Sequence, residues 1–250
     1  MPSRQQMLQE LKLAPRWVRK QHSSGAAALS GVAASSGAEP ETGAVKGVRV
    51  TPMQHGADAA RLEHIAGLSL AELAADVADC TACRLCRSRK LAVPGVGDPE
   101  ADWLFVGEAP GAEEDARGEP FVGQAGRLLD NMLRALGLSR ERQVYIANVL
   151  KCRPPNNRTP EPAEALACQP YLSRQIELIA PRIIVALGKS AATLLLGEES
   201  SIASLRGRVH RYRDVPLVVT YHPAYLLRSL PDKAKAWEDL LLAKRVVAGG

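Results

Sequence analysis

The stretch DWLFVGEAPGAEED, residues 102–115, begins with an apolar run of strand length and continues through Gly and Pro into an acidic helical pattern. Three similar runs follow along the chain: VYIANV (144–149), RIIVALG (182–188) and PLVVTYH (216–222). Helical patterns lie between and after them: GRLLDNMLRALGL (126–138), PAEALACQPYLSRQIELIA (162–180) and KSAATLLLG (189–197). Short apolar strands that alternate with helices predict an α/β fold with a parallel sheet covered on both faces.

The composition of the 250-residue chain is that of a globular protein, with 46% hydrophobic residues. It contains no run of 18 apolar residues, and the first residues, MPSRQQMLQELK, lack the apolar segment of a secretory signal. We therefore expect a cytoplasmic protein without a membrane span. Residues 1–61 carry most of the net charge of +5, so nucleic-acid contacts elsewhere must come from local basic clusters.

A change of composition near residue 65 divides the chain in two. Residues 23–60 are rich in Ala, Gly, Ser and Pro and contain no aromatic residue, which is typical of a flexible linker. The preceding residues 3–20 fit either a short amphipathic helix that docks an unknown protein partner or a frayed polar helix. We predict a flexible, disordered extension over 1–65 and a globular domain over 66–250, whose first helix starts with a Ser69–Glu72 capping box.

Polar residues follow the four apolar runs, at the strand ends where parallel sheets bind their ligands. These segments are GEAPG (107–111), NVLKCRPPNNR (148–158), GKSAA (188–192) and YHPAYLLRS (221–229). Taken singly, each is also typical of an ordinary turn, a helix start or a structural histidine. Their occurrence together at one edge of the sheet favours a ligand site there.

The five cysteines are a stronger signal. Cys80 and Cys83 form a C-x2-C pair, and Cys152 and Cys168 form a second pair separated by fifteen residues. Two pairs of thiolates can hold either zinc or an iron–sulfur cluster, and the ligand types alone do not separate the two. Unligated buried thiols are the third interpretation, and Cys86 is the spare cysteine in all of them.

Three segments together resemble the family 4 uracil-DNA glycosylases, bacterial and archaeal DNA-repair enzymes with an iron–sulfur cluster. They are CTACRLCRSRKLAVPGVGDPEADWLFVGEAPGAEEDARGEPFVGQAGRLLDNML, VYIANVLKCRPPNNRTPEPAEALACQPYL and TYHPAYLLR. The resemblance covers about residues 70–247. It implies a three-layer α/β/α fold around a four-stranded parallel sheet, in a monomeric enzyme that works on uracil-containing DNA in the bacterial nucleoid.

The resemblance also implies that Cys80, Cys83, Cys152 and Cys168 ligate a 4Fe–4S cluster. The family pattern has no cysteine at the place of Cys86, which we therefore interpret as a bystander. A ligand set that uses Cys86 instead of Cys83 stays open.

The implied reaction sets requirements for the site. Uracil must be flipped out of the duplex, and its bond to the sugar breaks as negative charge develops on the base. We predict that His222 donates a hydrogen bond to uracil O2. Asn148 would accept from N3–H and donate to O4, a pattern that cytosine reverses, and Phe121 would stack on the base.

We predict that a carboxylate in the segment after the first strand positions the attacking water. Glu108 and Ala109 would line the floor of the pocket. Glu108, or Glu114 with its neighbour Asp115, would orient the water. Related families use an acidic or amide residue in this loop, and Ala109 cannot supply one.

DNA contacts are predicted from basic clusters and from an exposed loop. The clusters are CRSRK (86–90), KCRPPNNR (151–158) and RGRVHRYR (206–213), with Arg206, Arg208 and Arg211 as phosphate ligands. Tyr225, Leu226 and Leu227 would fill the gap left by the flipped base.

Two other functions stay open. One is a related uracil-DNA binder that traps uracil covalently, and the other is a non-catalytic zinc or cluster module that scaffolds a nucleic-acid complex. The binders carry Gln in GEQPG and a basic insertion after the second strand. This chain has Ala109 and runs directly from NVLKCRPP into NNRTPEP, and both features favour turnover.

Overall fold

The computed structural model describes residues 52–249 of the chain. Its helices are α1 (Pro52–Gly67), α2 (Leu70–Asp79), α3 (Ala112–Arg117), α4 (Gln124–Leu136), α5 (Pro162–Ile179), α6 (Lys189–Leu196), α7 (Ile202–Leu205), α8 (Pro223–Leu226) and α9 (Asp232–Ala248). Its strands are β1 (Val96–Gly97), β2 (Trp103–Gly107), β3 (Val144–Asn148), β4 (Ile183–Leu187), β5 (Val209–Tyr212) and β6 (Val215–Thr220). Single 3-10 turns cover Arg84–Arg87 and Pro155–Asn157.

One six-stranded sheet organises the fold, in the order β1-β3-β2-β4-β6-β5. The four inner strands are parallel, and they are the four that the apolar runs predict. The two edge strands β1 and β5 are antiparallel, and the expected count of four strands omits them. All four parallel strands run to the same edge, so their carboxyl ends lie side by side.

The strands of the parallel core are buried on both faces. Along β2, Leu104 and Val106 belong to one apolar cluster, while Trp103 and Phe105 belong to the other. The first cluster is completed by α5 and α6, and the second by α4 and α9. This alternation produces the predicted three layers, with helices on each side of the sheet.

The helices begin and end at residues suited to those positions. Ser69 caps α2 in a capping box with Glu72, as the sequence predicts. Pro170 lies within α5, which continues through it from Pro162 to Ile179. In the described part of the chain, no helix is long and apolar enough to cross a membrane.

The compact unit that carries the strands starts at Ala60, inside α1. The Arg61 guanidinium donates to the Ala167 carbonyl at 2.9 Å and lies over the ring of Tyr171. Ile65 is buried against α2 and α5. These contacts join the second half of α1 to α2 and α5. The predicted docking helix within residues 3–20 lies outside the described residues.

Candidate active site

Three side chains meet at the carboxyl edge of the parallel sheet, and we call them, with Glu108, the strand-end site. Asn148 is the last residue of β3, and His222 follows β6 and caps α8. Phe121 lies on the loop between α3 and α4, with its ring centroid 5.5 Å from that of His222. Glu108 follows β2 directly.

Asn148 is almost fully buried, and its Oδ1 has no hydrogen-bond partner. Its position depends on Gly107, the last residue of the neighbouring strand. A Cβ atom there would lie 2.3 Å from Asn148 Oδ1 and 2.7 Å from Phe121 Cζ. Because an unpaired buried acceptor costs about 1–3 kcal/mol, this amide oxygen is suited to a ligand that brings an N–H donor.

His222 is held as a neutral ring. The backbone N–H of Ala224 donates to His222 Nδ1 at 3.1 Å, so the proton of the neutral ring resides on Nε2. Burial lowers the pKa of His222 to about 4, a shift that Glu114 opposes and Arg228 reinforces. At physiological pH the histidine is therefore an uncharged hydrogen-bond donor through Nε2–H.

One arginine bonds to two carbonyl groups of the loop that carries Phe121. Arg140 donates to the Pro120 carbonyl at 2.8 Å and also to the Phe121 carbonyl, and its Nε lies 2.5 Å from Asp130 Oδ1. Phe121 adopts a left-handed backbone conformation with φ of 55°, which is uncommon outside glycine. The hydrogen bonds from Arg140 offset the cost of holding the ring in this place.

The two predicted water-positioning carboxylates differ in their surroundings. Glu114 accepts from the backbone N–H groups of Gly111, Val122 and Gly123, at 3.1, 3.0 and 3.3 Å. Its two oxygens therefore organise the loop around Phe121. Glu108 is half-buried, and burial raises the pKa of its carboxyl while a hydrogen bond with Ser190 opposes the rise. Glu108 is thus the carboxylate better placed to act on a ligand.

The five cysteines line one pocket, which we call the cysteine pocket. Cys80 ends α2, Cys83 precedes the first 3-10 turn and Cys86 lies within it, Cys152 follows β3, and Cys168 lies within α5. Among the described residues, no three ligands converge closely enough for a single metal ion. Thiols spread around a shared pocket suit a cluster, in which each thiolate binds a different iron.

The cysteine pocket is unfavourable to bare thiolates. Burial raises the pKa of Cys168 to about 11 and also raises those of Cys83 and Cys152. Arg89 supplies one compensating contact, donating to Cys152 Sγ at 3.0 Å. Iron would supply the positive charge that makes thiolates stable here, so the residues present fit an iron–sulfur cluster.

Comparison with known proteins places the chain in a family. Residues 94–241 match the family model of the uracil DNA glycosylase superfamily. The chain belongs to this superfamily. It is 48% identical over 180 residues to the type-4 uracil-DNA glycosylase of Sulfurisphaera tokodaii, a match that covers 68% of this chain and 81% of the relative. It is 46% identical to the type-4 enzyme of Thermotoga maritima, covering 68% and 91%. A type-5 uracil-DNA glycosylase from Thermus thermophilus is 35% identical, covering 53% and 74%.

Two of the predicted DNA contacts, Arg206 and Leu226, are less exposed in the structure than predicted. Arg206 is half-buried and paired within the protein: its Nε lies 3.0 Å from the buried Asp239, and its guanidinium lies over the ring of Tyr221. Leu226 is 1% exposed, because it packs into the core beside α4. Leu226 is therefore not presented to a duplex, and the guanidinium of Arg206 is already paired within the protein.

Other predicted DNA contacts are exposed, but they lie at different distances from the strand-end site. Arg208 precedes β5 at the end that lies beside the carboxyl end of β6. Arg211 pairs with Pro216, near the amino end of β6, so it lies toward the opposite edge of the sheet. Tyr225 and Leu227 are exposed on the loop after His222.

Lys151 belongs to a segment that the sequence predicts to be a basic surface, yet it is 1% exposed. Its Nζ donates to the Asn148 carbonyl at 2.9 Å and to Gln175 Oε1 at 2.6 Å. Burial lowers the pKa of Lys151 to about 7. Lys151 thus joins the strand-end site of this glycosylase fold to the cysteine pocket. The polar Gln175 within the buried face of α5 is the sequence signal that could have found this link.

Proposed function

We propose that this chain is a uracil-DNA glycosylase that hydrolyses the bond between uracil and deoxyribose in DNA. The relatives named above carry this activity in their names, and the strand-end site has the groups that the reaction needs. The observation that carries the proposal is the unpaired, buried Oδ1 of Asn148 beside the ring of Phe121. A flipped uracil brings an N3–H donor to that oxygen and a flat face to that ring.

The fixed amide gives selectivity for uracil over cytosine. Uracil presents N3–H and O4, which match an amide oxygen and an amide N–H. Cytosine presents the reverse pattern, an acceptor at N3 and a donor at its amino group, so Asn148 in the orientation that suits uracil leaves polar groups unpaired. Buried unpaired groups of this kind supply discrimination of about 1–3 kcal/mol each.

Catalysis is assigned to His222 and Glu108. As the bond to the sugar breaks, negative charge develops on uracil O2, and the neutral His222 donates from Nε2 to that oxygen. A preorganised donor of this kind is worth roughly 2.7–4 kcal/mol. Glu108 orients a water toward C1′ of the sugar. Glu114 is assigned to positioning Phe121, because both of its oxygens accept backbone N–H groups.

The cysteine pocket is assigned to a 4Fe–4S cluster held by Cys80, Cys83, Cys152 and Cys168. When bound, the cluster would crosslink three segments of the chain through iron–thiolate bonds. One of these segments, the loop after β3, begins at Asn148. The assigned role is therefore to hold the strand-end site in place, and the protein residues carry out the hydrolysis.

DNA is the assigned partner, contacted by exposed groups around the strand-end site. Arg208 and Arg228 are exposed basic residues near the carboxyl edge of the sheet, and phosphate contacts of this type position the duplex. Tyr225 and Leu227 are the exposed groups assigned to the gap left by the flipped base. A monomer is proposed because one chain carries both the strand-end site and the cysteine pocket, and work in the nucleoid is proposed because DNA is the substrate.

Incubation of the purified chain with a duplex containing one uracil tests this function. We expect free uracil and one alkali-sensitive abasic site per molecule of uracil released, with no cleavage of a matched duplex that carries thymine. A DNA–protein adduct that survives boiling in detergent would instead identify the covalent binder. Absence of both free uracil and adduct would favour the third function, a non-catalytic module that scaffolds a nucleic-acid complex.

A further inference from the structure

The cysteine pocket offers five thiols to a cluster that uses four. Cys86 lines the pocket together with the four predicted ligands, although the family pattern gives it no role. It is only partly exposed, like Cys80 and Cys83. A fifth thiol on the wall of the same pocket differs from an isolated surface cysteine, because it lies where a ligand would have to lie.

The 3-10 turn after Cys83 explains why two thiols reach the same wall. Cys83 precedes the turn, Cys86 lies within it, and the Cys86 N–H donates to the Cys83 carbonyl at 3.3 Å. This hydrogen bond brings the backbones of Cys83 and Cys86 close together, and both residues line the pocket. Leu85, between them, is 1% exposed and points into the core.

The turn itself is fixed by contacts that involve neither thiol. Arg84 forms ion pairs with Glu161 and Glu164 at the start of α5. Arg89 donates to Cys152 Sγ and to the Ala78 carbonyl. Leu85 anchors the middle of the turn in the core. The backbone of the turn is therefore held in place whichever of the two thiols binds iron.

The other three cysteines have no such neighbour. Cys80 lies at the end of α2, Cys152 on the loop after β3, and Cys168 within α5. Cys152 and Cys168 are each 4% exposed, and they reach the pocket from elements other than the 3-10 turn. Only the ligand position beside the 3-10 turn therefore has two candidate thiols, Cys83 and Cys86.

We propose that Cys83 and Cys86 are interchangeable ligands of the proposed cluster, so that one iron exchanges between them. The proposal rests on the assignment of an iron–sulfur cluster to the cysteine pocket. In the exchange, the Cys86 thiol releases its proton and forms a bond to iron, while the Cys83 thiolate leaves the iron and takes up a proton. No electron is transferred, and the remaining three thiolates stay bound.

Four purified proteins test the exchange: the parent, Cys83→Ala, Cys86→Ala and the double variant. Alanine is used because serine can itself ligate iron. Iron and sulfide per chain and the absorbance near 400 nm are the readouts. We expect full iron content in the parent and Cys86→Ala, at least about half in Cys83→Ala, and at least a tenfold loss in the double variant.

The outcomes separate this proposal from the cluster assignment. Iron in the parent with none in Cys83→Ala overturns the exchange and leaves Cys86 a bystander. Equal iron in Cys83→Ala and the double variant also overturns it, because another group would then be the replacement. A parent without iron overturns the cluster and the exchange together.

Alkylation of the parent holoprotein gives an independent test that needs no variant. Trypsin cleaves after Arg84, so Cys83 and Cys86 fall on different peptides. Brief treatment with iodoacetamide should label about one thiol per chain, divided between the two peptides. Label on Cys86 alone would contradict the exchange, because Cys83 would then be permanently bound.

Discussion

The strand-end site and the cysteine pocket are joined by one short loop, from Asn148 to Cys152, but their polar groups are under different electrostatic conditions. In the first, burial keeps His222 neutral, which is the state that can donate to a departing base. In the second, burial raises the pKa values of the thiols, so the ligand form is disfavoured until metal is bound. The strand-end site is therefore ready before its substrate arrives, whereas the cysteine pocket depends on its cofactor. Loss of a side chain at the strand-end site should then lower the rate of uracil release. Loss of a thiol from the cysteine pocket should lower the stability of the folded state.

The largest effect is expected in the cysteine pocket. Cys168→Ala removes a buried ligand for which no second thiol is offered, so we expect loss of iron, a lower melting temperature and uracil release below detection. Cys86→Ala is the matched control, with iron and activity near those of the parent. Iron analysis, thermal melting and a uracil-release assay are the measurements. A brown, active Cys168→Ala protein would remove Cys168 from the ligand set.

A stability effect that depends on pH is expected from His222. Its folded pKa of about 4 lies below the unfolded value of 6.5, so the unfolded chain binds the proton first as pH falls. This histidine therefore contributes stability above pH 6.5, and the contribution is lost between pH 6.5 and 4. The loss amounts to about 3 kcal/mol.

The variant His222→Gln does not titrate in this range. Its free energy of unfolding should fall less than that of the parent between pH 6.5 and 4.5, as measured by denaturant titration. Both proteins contain the same carboxylates and the same cluster, so the contributions of these groups to the pH dependence cancel in the comparison. Parallel pH curves for the two proteins would show that His222 is not held neutral by the fold.

A change of selectivity is expected from Asn148. Asn148→Ala removes the amide that distinguishes uracil from cytosine, so the ratio of excision rates for the two bases should fall by roughly 5- to 150-fold, or about 1–3 kcal/mol. Asn131→Ala on α4 is the control, and its ratio should not change. Excision assays on matched duplexes give both rates. An unchanged ratio in Asn148→Ala would move base reading to another residue.

The smallest effect is expected from the arginine that holds the Phe121 loop. Arg140→Gln removes hydrogen bonds to two carbonyl groups, worth about 0.5–1.5 kcal/mol each, so we expect KM to rise by roughly 2- to 10-fold with a smaller change in kcat. Arg134→Gln, an exposed change on α4, serves as the control. Steady-state kinetics on uracil-containing DNA separates the two constants. A fall in kcat without a rise in KM would place Arg140 in the chemical step.

The sequence predicted the parallel core because its four strands are largely apolar runs that are buried along most of their length. It missed β1, which has two residues, and β5, whose sequence VHRY lacks an apolar run and has only Tyr212 buried. Asn148 and His222 were predicted as site residues because their positions at strand ends are readable from the sequence; the structure shows those positions, and their roles stay predictions. The contact of Arg140 with Phe121 was not found, since it joins residues 19 positions apart through backbone carbonyls.

Exposure was the property that sequence predicted least well. The basic segment 206–213 contains both the internally paired Arg206 and the exposed Arg208, and no pattern in the letters separates them. Leu226 and Leu227 are adjacent and chemically identical, yet the first is buried and the second is exposed. The direction of each side chain depends on how α8 and its loop pack on the core.

The most direct test of the proposed mechanism is the single-turnover rate of uracil release by the parent and His222→Ala between pH 6 and 8. We expect the variant to be about 100- to 1000-fold slower, by the same factor at each pH, because a neutral donor does not titrate in this range. His210→Ala, a half-buried histidine bonded to the Leu205 carbonyl, should match the parent. Equal rates for the parent and His222→Ala would contradict the account, and so would a difference that disappears above pH 6.5, since the donor would then be a protonated histidine.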